Sequence, residues 1–128
     1  MRKMTLTCAH AIVKYLIAQK ILIDGKKEPL FPGVFGIFGH GNVACLGQAL
    51  EENQKDLPTY RGHHEQNMAL TGIGYARGKR RQQIFVATSS IGPGATNMVT
   101  AAAVTIFVAP GPTDEVATKI CCLLFPLA

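Results

Sequence analysis

Three times along this chain a short run of β-prone residues ends in a turn and gives way to a helix-prone segment. Val34, Phe35, Ile37 and Phe38 run into Gly39-His40-Gly41. Thr59-Tyr60-Arg61, entered through Pro58, runs into Gly62-His63-His64, and the stretch 83–89, with Ile84-Phe85-Val86, leads to Gly92-Pro93-Gly94. Branched and aromatic side chains suit a pleated surface, while glycine and proline punctuate element ends. Strands separated by helices cannot pair through tight hairpins, so the alternation predicts parallel strands joined by crossover helices. The expected fold class is α/β: a three-layer, mostly parallel sheet with helices on both faces.

Helical spacing places the covering elements. Leu6, Ala9, Val13, Leu16 and Lys20 share one face, with Thr5 or Thr7 as N-cap, which predicts a first helix running to about Lys20. Asp24 to Pro29 is turn chemistry. Asn42 is placed as the cap of a second helix whose Val43, Leu46 and Leu50 face one way. From Glu65 to Ala76, apolar positions recur at Met68, Ala69, Ile73 and Ala76, and the alanine-rich stretch 95–104 is helix-prone. The closing residues, beyond the breaker cluster Pro110-Gly111-Pro112, are apolar without a clear period. One domain is therefore expected over 1–103, with a divergent tail over 104–128.

At 128 residues, 48% of them hydrophobic, the chain can bury one core but not two. The formal charge of +5 sits largely in Arg2-Lys3, Lys26-Lys27 and the run from Arg77 to Arg81, none interleaved with aromatic residues, so a nucleic-acid surface is not expected. The longest apolar run, Met98 to Pro110, is interrupted by Thr100 and Thr105 and falls short of the roughly 20 residues that cross a bilayer. The cysteines form no C-x-x-C pair and Met1 to Lys14 has no apolar signal core, so a reduced, cytoplasmic protein is expected.

Open α/β sheets bind ligands beyond the carboxyl ends of their strands, which here means residues 39–42, 62–66 and 89–97. The first, Gly39-His40-Gly41-Asn42-Val43-Ala44, fits G-x-G-x-x-A between a strand and a helix, where glycines let a phosphate approach a helix amino end. A plain tight turn explains it equally well. The third, Ser90 to Asn97, carries backbone amides that could hold an anion or a heterocycle edge. In the second, His63, His64 and Glu65 stand where strand becomes helix. Adjacent histidines point in different directions, so no metal site is expected. By spacing alone Glu65 is either a first-turn glutamate favoured by the helix dipole or a catalytic carboxyl.

The order of the three segments is more specific than any one of them. Phe38-Gly39-His40-Gly41-Asn42, then His64-Glu65-Gln66-Asn67-Met68-Ala69 leading to Gly74-Tyr75-Ala76-Arg77, then Thr88 to Asn97, resembles the amino-terminal, pyrimidine-binding domain of thiamine-diphosphate-dependent enzymes such as acetolactate synthase. Asp24-Gly25-Lys26-Lys27-Glu28-Pro29, Gly47-Gln48-Ala49-Leu50-Glu51 and the extra Ile91 in Ser90-Ile91-Gly92-Pro93-Gly94 are similar to the branch that serves inositol breakdown. The likeness covers roughly residues 6–103. It implies a Pyr-type thiamine-diphosphate-binding fold, incomplete at the C-terminus, in which Glu65 is the catalytic residue. Its carboxyl bonds the pyrimidine N1′ and favours the imino tautomer, a task for a group able to hold or release a proton. The implied cofactor-binding set is Gly39, His40, Gly41, Asn42, Glu65, Gly92, Pro93 and Asn97. For a complete enzyme of that branch the implied reaction is hydrolytic opening of a cyclic 1,2-dione to a 5-deoxy-glucuronic acid.

The family holds the diphosphate and its Mg2+ through a Gly-Asp-Gly to Asn-Asn motif in a separate domain, and no Gly-Asp-Gly occurs here. The chain is therefore expected to be inactive alone and to bind thiamine diphosphate as a homo-oligomer or paired with a diphosphate-binding domain. An acetolactate-synthase-like fragment, a non-catalytic oligomerisation domain and a nucleotide-binding protein using Gly39 to Ala44 remain open. The last needs an acid at the end of the second strand to hold a ribose, where Tyr60-Arg61-Gly62 stands.

Overall fold

The computed structural model describes residues 5–80 and 82–108, with side chains up to residue 103. Helix α1, Cys8–Ala18, starts at Thr7, whose extended backbone leaves its hydroxyl free to accept from the His10 amide. Val13 and Leu16 are its buried residues. The helix stops short of Lys20 because Gln19 turns extended, with φ −73° and ψ 118°. It leads directly into β1, Lys20–Ile23, which pairs antiparallel with β2, Lys26–Pro29.

This hairpin corrects the sequence reading, which took Asp24 to Pro29 as a turn alone. Asp24 and Gly25 adopt φ of 49° and 79°, the doubly left-handed pair that joins strands through a two-residue loop and that Asp-Gly favours. The flanking strand was hidden because Lys26 and Lys27 are exposed, so its first half shows no apolar alternation.

The central sheet has three parallel strands: β3, Val34–Gly36; β4, Thr59–Arg61; and β5, Val86–Thr88. Their order is β4-β3-β5. The register sets Val34 beside Thr59 and Val86, and Gly36 beside Arg61 and Thr88, so the three strands end level. Helices α2, Gln48–Glu52, α3, Glu65–Gly78, and α4, Pro93–Val108, follow the three strands in turn. Proline opens α4 at the position where a missing amide hydrogen is no loss.

Side chains alternate across each strand, and the two faces are covered accordingly. Val34 packs with Val13, Leu16, Ala49, Leu50 and Leu57 from the α1–α2 side. Phe35 and Ile37 pack against Met68, Ala69, Met98 and Ala101 from α3 and α4. On β5, Val86 serves the first cluster and Ala87 the second. Parallel strands with helices on both faces are what the alternation predicts.

Helix α3 continues past Ala76 to Gly78, and α4 runs from Pro93 to Val108 rather than from 95 to 104. The divergent tail expected over 104–128 lies outside the described residues from 109 onward, and outside the described side chains throughout. Among the described residues no helix is long and apolar enough to cross a membrane.

Candidate functional site

The connection leaving β3 turns to the α2 face, while those leaving β4 and β5 turn to the α3–α4 face. Such a divergence opens a crevice beyond the carboxyl end of the central strand, where open α/β sheets take their ligands. The three segments singled out from the sequence all start at this edge.

Asn42 ties the first segment to the third. Its Oδ1 accepts the Gly39 amide at 2.8 Å. Its Nδ2 donates to Ile37 O at 3.2 Å, Thr88 Oγ1 at 3.3 Å and Ser89 O at 3.1 Å. With its side chain committed to the strand ends, Asn42 makes no capping bond, which corrects the expectation that it caps the second helix. The chain instead enters α2 through a wide π-helical turn over Val43–Gly47, in which the Gly47 amide donates to Asn42 O at 2.8 Å. The expected apolar stripe is broken by that turn: Val43 is 53% exposed and Leu50 only 1%. Gly39 presses on the third segment too, since a Cβ there would overlap Ser90 Oγ and lie 2.6 Å from Ser90 Cβ.

Glu65 is the first residue of α3, as its sequence position predicts. The cap is His64, whose extended backbone lets its ring Nδ1 accept from the Asn67 amide at 3.4 Å. A ring nitrogen carrying a lone pair can act there as an Asn or Asp oxygen does, a role spacing did not suggest. His63 is exposed. The Glu65 carboxyl is half-buried and lies over Gly94, occupying the space that a Gly94 side chain would need. Among the described residues it has no hydrogen-bond or ion-pair partner.

The third segment bends at Gly92, whose φ of 106° suits a residue without a side chain. The Ala95 amide donates back to Gly92 O at 3.1 Å, closing the turn into α4. Ile91, at its apex, is 80% exposed. Of the expected set, then, Gly39, Asn42 and Glu65 join the segments, and Gly92 and Pro93 shape the third turn. His40 and Gly41 are exposed and Asn97 is half-buried, and none of the three takes part in these contacts. Thr88, Ser90 and Gly94, which belong to the third motif but not to that set, do take part. Their turns were visible in the sequence; their partners depend on how strands and helices meet in space.

Among the described residues, no group of three or more His, Cys, Asp or Glu is placed to hold a metal ion. The second parallel strand, β4, ends in Arg61 rather than an acid, so the nucleotide reading lacks its ribose contact.

The family model for the thiamine pyrophosphate enzyme N-terminal TPP-binding domain matches residues 7–105. The chain belongs to that family. This TPP-binding domain is 53% identical over 103 residues to a 3D-(3,5/4)-trihydroxycyclohexane-1,2-dione hydrolase of Geobacillus thermodenitrificans, covering 80% of this chain and 16% of that protein. Proteins with the same name from Clostridium tetani and Bacillus thuringiensis are 45% identical over 119 residues and 48% identical over 103 residues. Those matches cover 88% and 80% of this chain, and 18% and 16% of the relatives. The chain thus spans less than a fifth of the length of these curated relatives. No solved structure matches it.

The residues present fit the family's cofactor. The Glu65 carboxyl is half-buried and without a partner among the described residues, so it is free to hydrogen-bond a bound ligand. A pyrimidine ring nitrogen provides such a partner.

Proposed function

We propose that this TPP-binding domain supplies the pyrimidine-holding half of a thiamine diphosphate site in a hydrolase that opens 3D-(3,5/4)-trihydroxycyclohexane-1,2-dione, the compound named for its relatives. The observation that carries the reading is the Glu65 carboxyl, half-buried over Gly94 and unpaired among the described residues. Glu65 is the catalytic residue: it hydrogen-bonds the pyrimidine N1′ and holds or releases the proton at that atom. Asn42 keeps the first and third segments together, so that Gly39, His40, Gly41, Gly92, Pro93 and Asn97 can border the ring. Bound thiamine diphosphate supplies the nucleophilic chemistry toward a substrate carbonyl. The diphosphate and its Mg2+ belong to a separate domain with which this one pairs, in the same longer protein, in a second chain or in a homo-oligomer. Exposed, unpaired Cys8 and Cys45 are consistent with a reducing cytoplasm.

A positioned proton-transfer group contributes typically ~10²–10⁴-fold to rate. In protein paired with a diphosphate-binding domain, Glu65→Gln is therefore expected to lower turnover of the dione by about that factor. Steady-state kinetics measures the loss, and calorimetry measures cofactor binding in parallel. A paired protein that bound no thiamine diphosphate would sink the reading. One that bound it and turned over pyruvate rather than the dione would move the chain to the acetolactate-synthase-like branch.

A further inference from the structure

We infer that Gly94 is the seat of Glu65. The space left by its missing side chain on α4 sets where the Glu65 carboxyl stands, which makes Gly94 a positioning residue for the pyrimidine-binding acid. The ligand's identity rests on the function proposed above; the contact does not.

The other physical reasons for a glycine at this position fail. Positive φ occurs among glycines at Gly25 and Gly92, not at Gly94. The residue lies inside α4, where glycine disfavours the helix relative to alanine. Neither backbone nor core side chain stands closest to it: the three nearest atoms that an added Cβ would meet are the carboxyl carbon and both oxygens of Glu65. What remains is the approach of the first residue of α3 to the first turn of α4.

That carboxyl ends a flexible side chain, so a methyl group at position 94 can push it aside while the fold persists. The group displaced is the one assigned above to the pyrimidine. Gly33 provides the contrast. Its added Cβ would strike the Pro58 carbonyl oxygen at 2.8 Å and the Phe85 ring at 2.7 Å, so substitution there disturbs a strand and the core beneath it. Gly94→Ala should instead separate stability from function, since alanine favours the helix while moving the acid.

Two sets of measurements test this. In the full chain, proton NOEs between the Glu65 side chain and the Gly94 α-protons report the seat, and thermal unfolding reports stability. In the chain paired with a diphosphate-binding domain, thiamine diphosphate is titrated by calorimetry into wild type, Gly94→Ala, Glu65→Ala and the double variant. The expected result is a Glu65–Gly94 NOE in wild type and, for Gly94→Ala, a displaced Glu65 side chain with an unchanged or higher midpoint. Its affinity for thiamine diphosphate should fall roughly ten- to hundred-fold, the scale of one hydrogen bond to a charged group. In the Glu65→Ala background, Gly94→Ala should cost no further affinity, because it acts through the acid. The inference is overturned by a missing wild-type NOE, by a lowered midpoint, or by an affinity loss that persists without Glu65. A paired wild type that binds no thiamine diphosphate overturns the proposed function and the binding role of Gly94, while the NOE and midpoint still decide the seat.

Discussion

The two faces of the sheet are built from different volumes. On the α1–α2 side the core consists of Val13, Leu16, Phe31, Val34, Leu50 and Leu57 around a single alanine, Ala49. On the α3–α4 side, Met68 and Met98 alternate with Ala69 and Ala101, and Ala76 and Ala102 are buried as well. Side-chain size at the contact sets how near two helices can lie. The bulky face therefore contributes large side chains, whereas the small-residue face contributes proximity, and there the Glu65 carboxyl comes to rest on Gly94. One set of strands thus has its larger core residues and the Glu65–Gly94 contact on opposite sides.

Removing volume from the bulky face is the strongest challenge to that division. Leu50 is 1% exposed, and Leu50→Ala is expected to cost about 2–5 kcal/mol in urea unfolding, from lost transfer energy and the cavity left behind. The Glu65–Gly94 contact should survive in the remaining folded protein. A cost under about 1 kcal/mol, within the range of ordinary substitutions, would show that this face is not where stability resides.

Adding volume to the other face should do the reverse. Ala101 is fully buried, and Ala101→Leu is expected to cost about 1–3 kcal/mol by overpacking. It should also part α3 from α4 enough to remove the Glu65–Gly94 NOE. An intact NOE in that variant would mean that close helix packing is not what places the carboxyl.

The smallest effect belongs to a surface tie on the bulky face, where His10 Nε2 meets Glu52 Oε2 at 2.8 Å. The Glu52 carboxyl is held below its ordinary range, first by the His10 hydrogen bond and then by that from Gln48, against a weaker opposing effect of desolvation. A folded-state pKa that is depressed contributes stability above the unfolded pKa and loses it as pH falls through the folded one. The wild-type midpoint should therefore drop slightly more than that of Glu52→Gln on acidification below the usual glutamate range. The effect is small because the pair is exposed to water. Parallel pH profiles would remove this tie from the stability of the α1–α2 face.

Much of this arrangement was legible in the residues. Runs such as Val34-Phe35, ended by glycine turns, announce strands, and the spacing of Val13 with Leu16 and of Ala69 with Ile73 announces helices, because neighbours along the chain carry those periods. Thr7 as a cap and Glu65 as a first-turn residue follow from the same local rules. The β1–β2 hairpin was missed although Asp24-Gly25 signals one, since charged, exposed Lys26 and Lys27 show no buried face. Asn42 has the composition of a helix cap, but its Oδ1, the atom that would cap, accepts the Gly39 amide instead, while its Nδ2 binds the end of a strand distant in sequence.

The sequence by itself determined the strand–helix alternation and, through the order of three motifs, the thiamine-diphosphate family. Only the tertiary structure decided that Asn42 binds β5 and that the Glu65 carboxyl lies over Gly94. The reason is physical. Turn and period are set by adjacent residues, whereas the meeting of Glu65 with Gly94 depends on how closely α3 and α4 pack, and that depends on the side-chain volumes of both helices together.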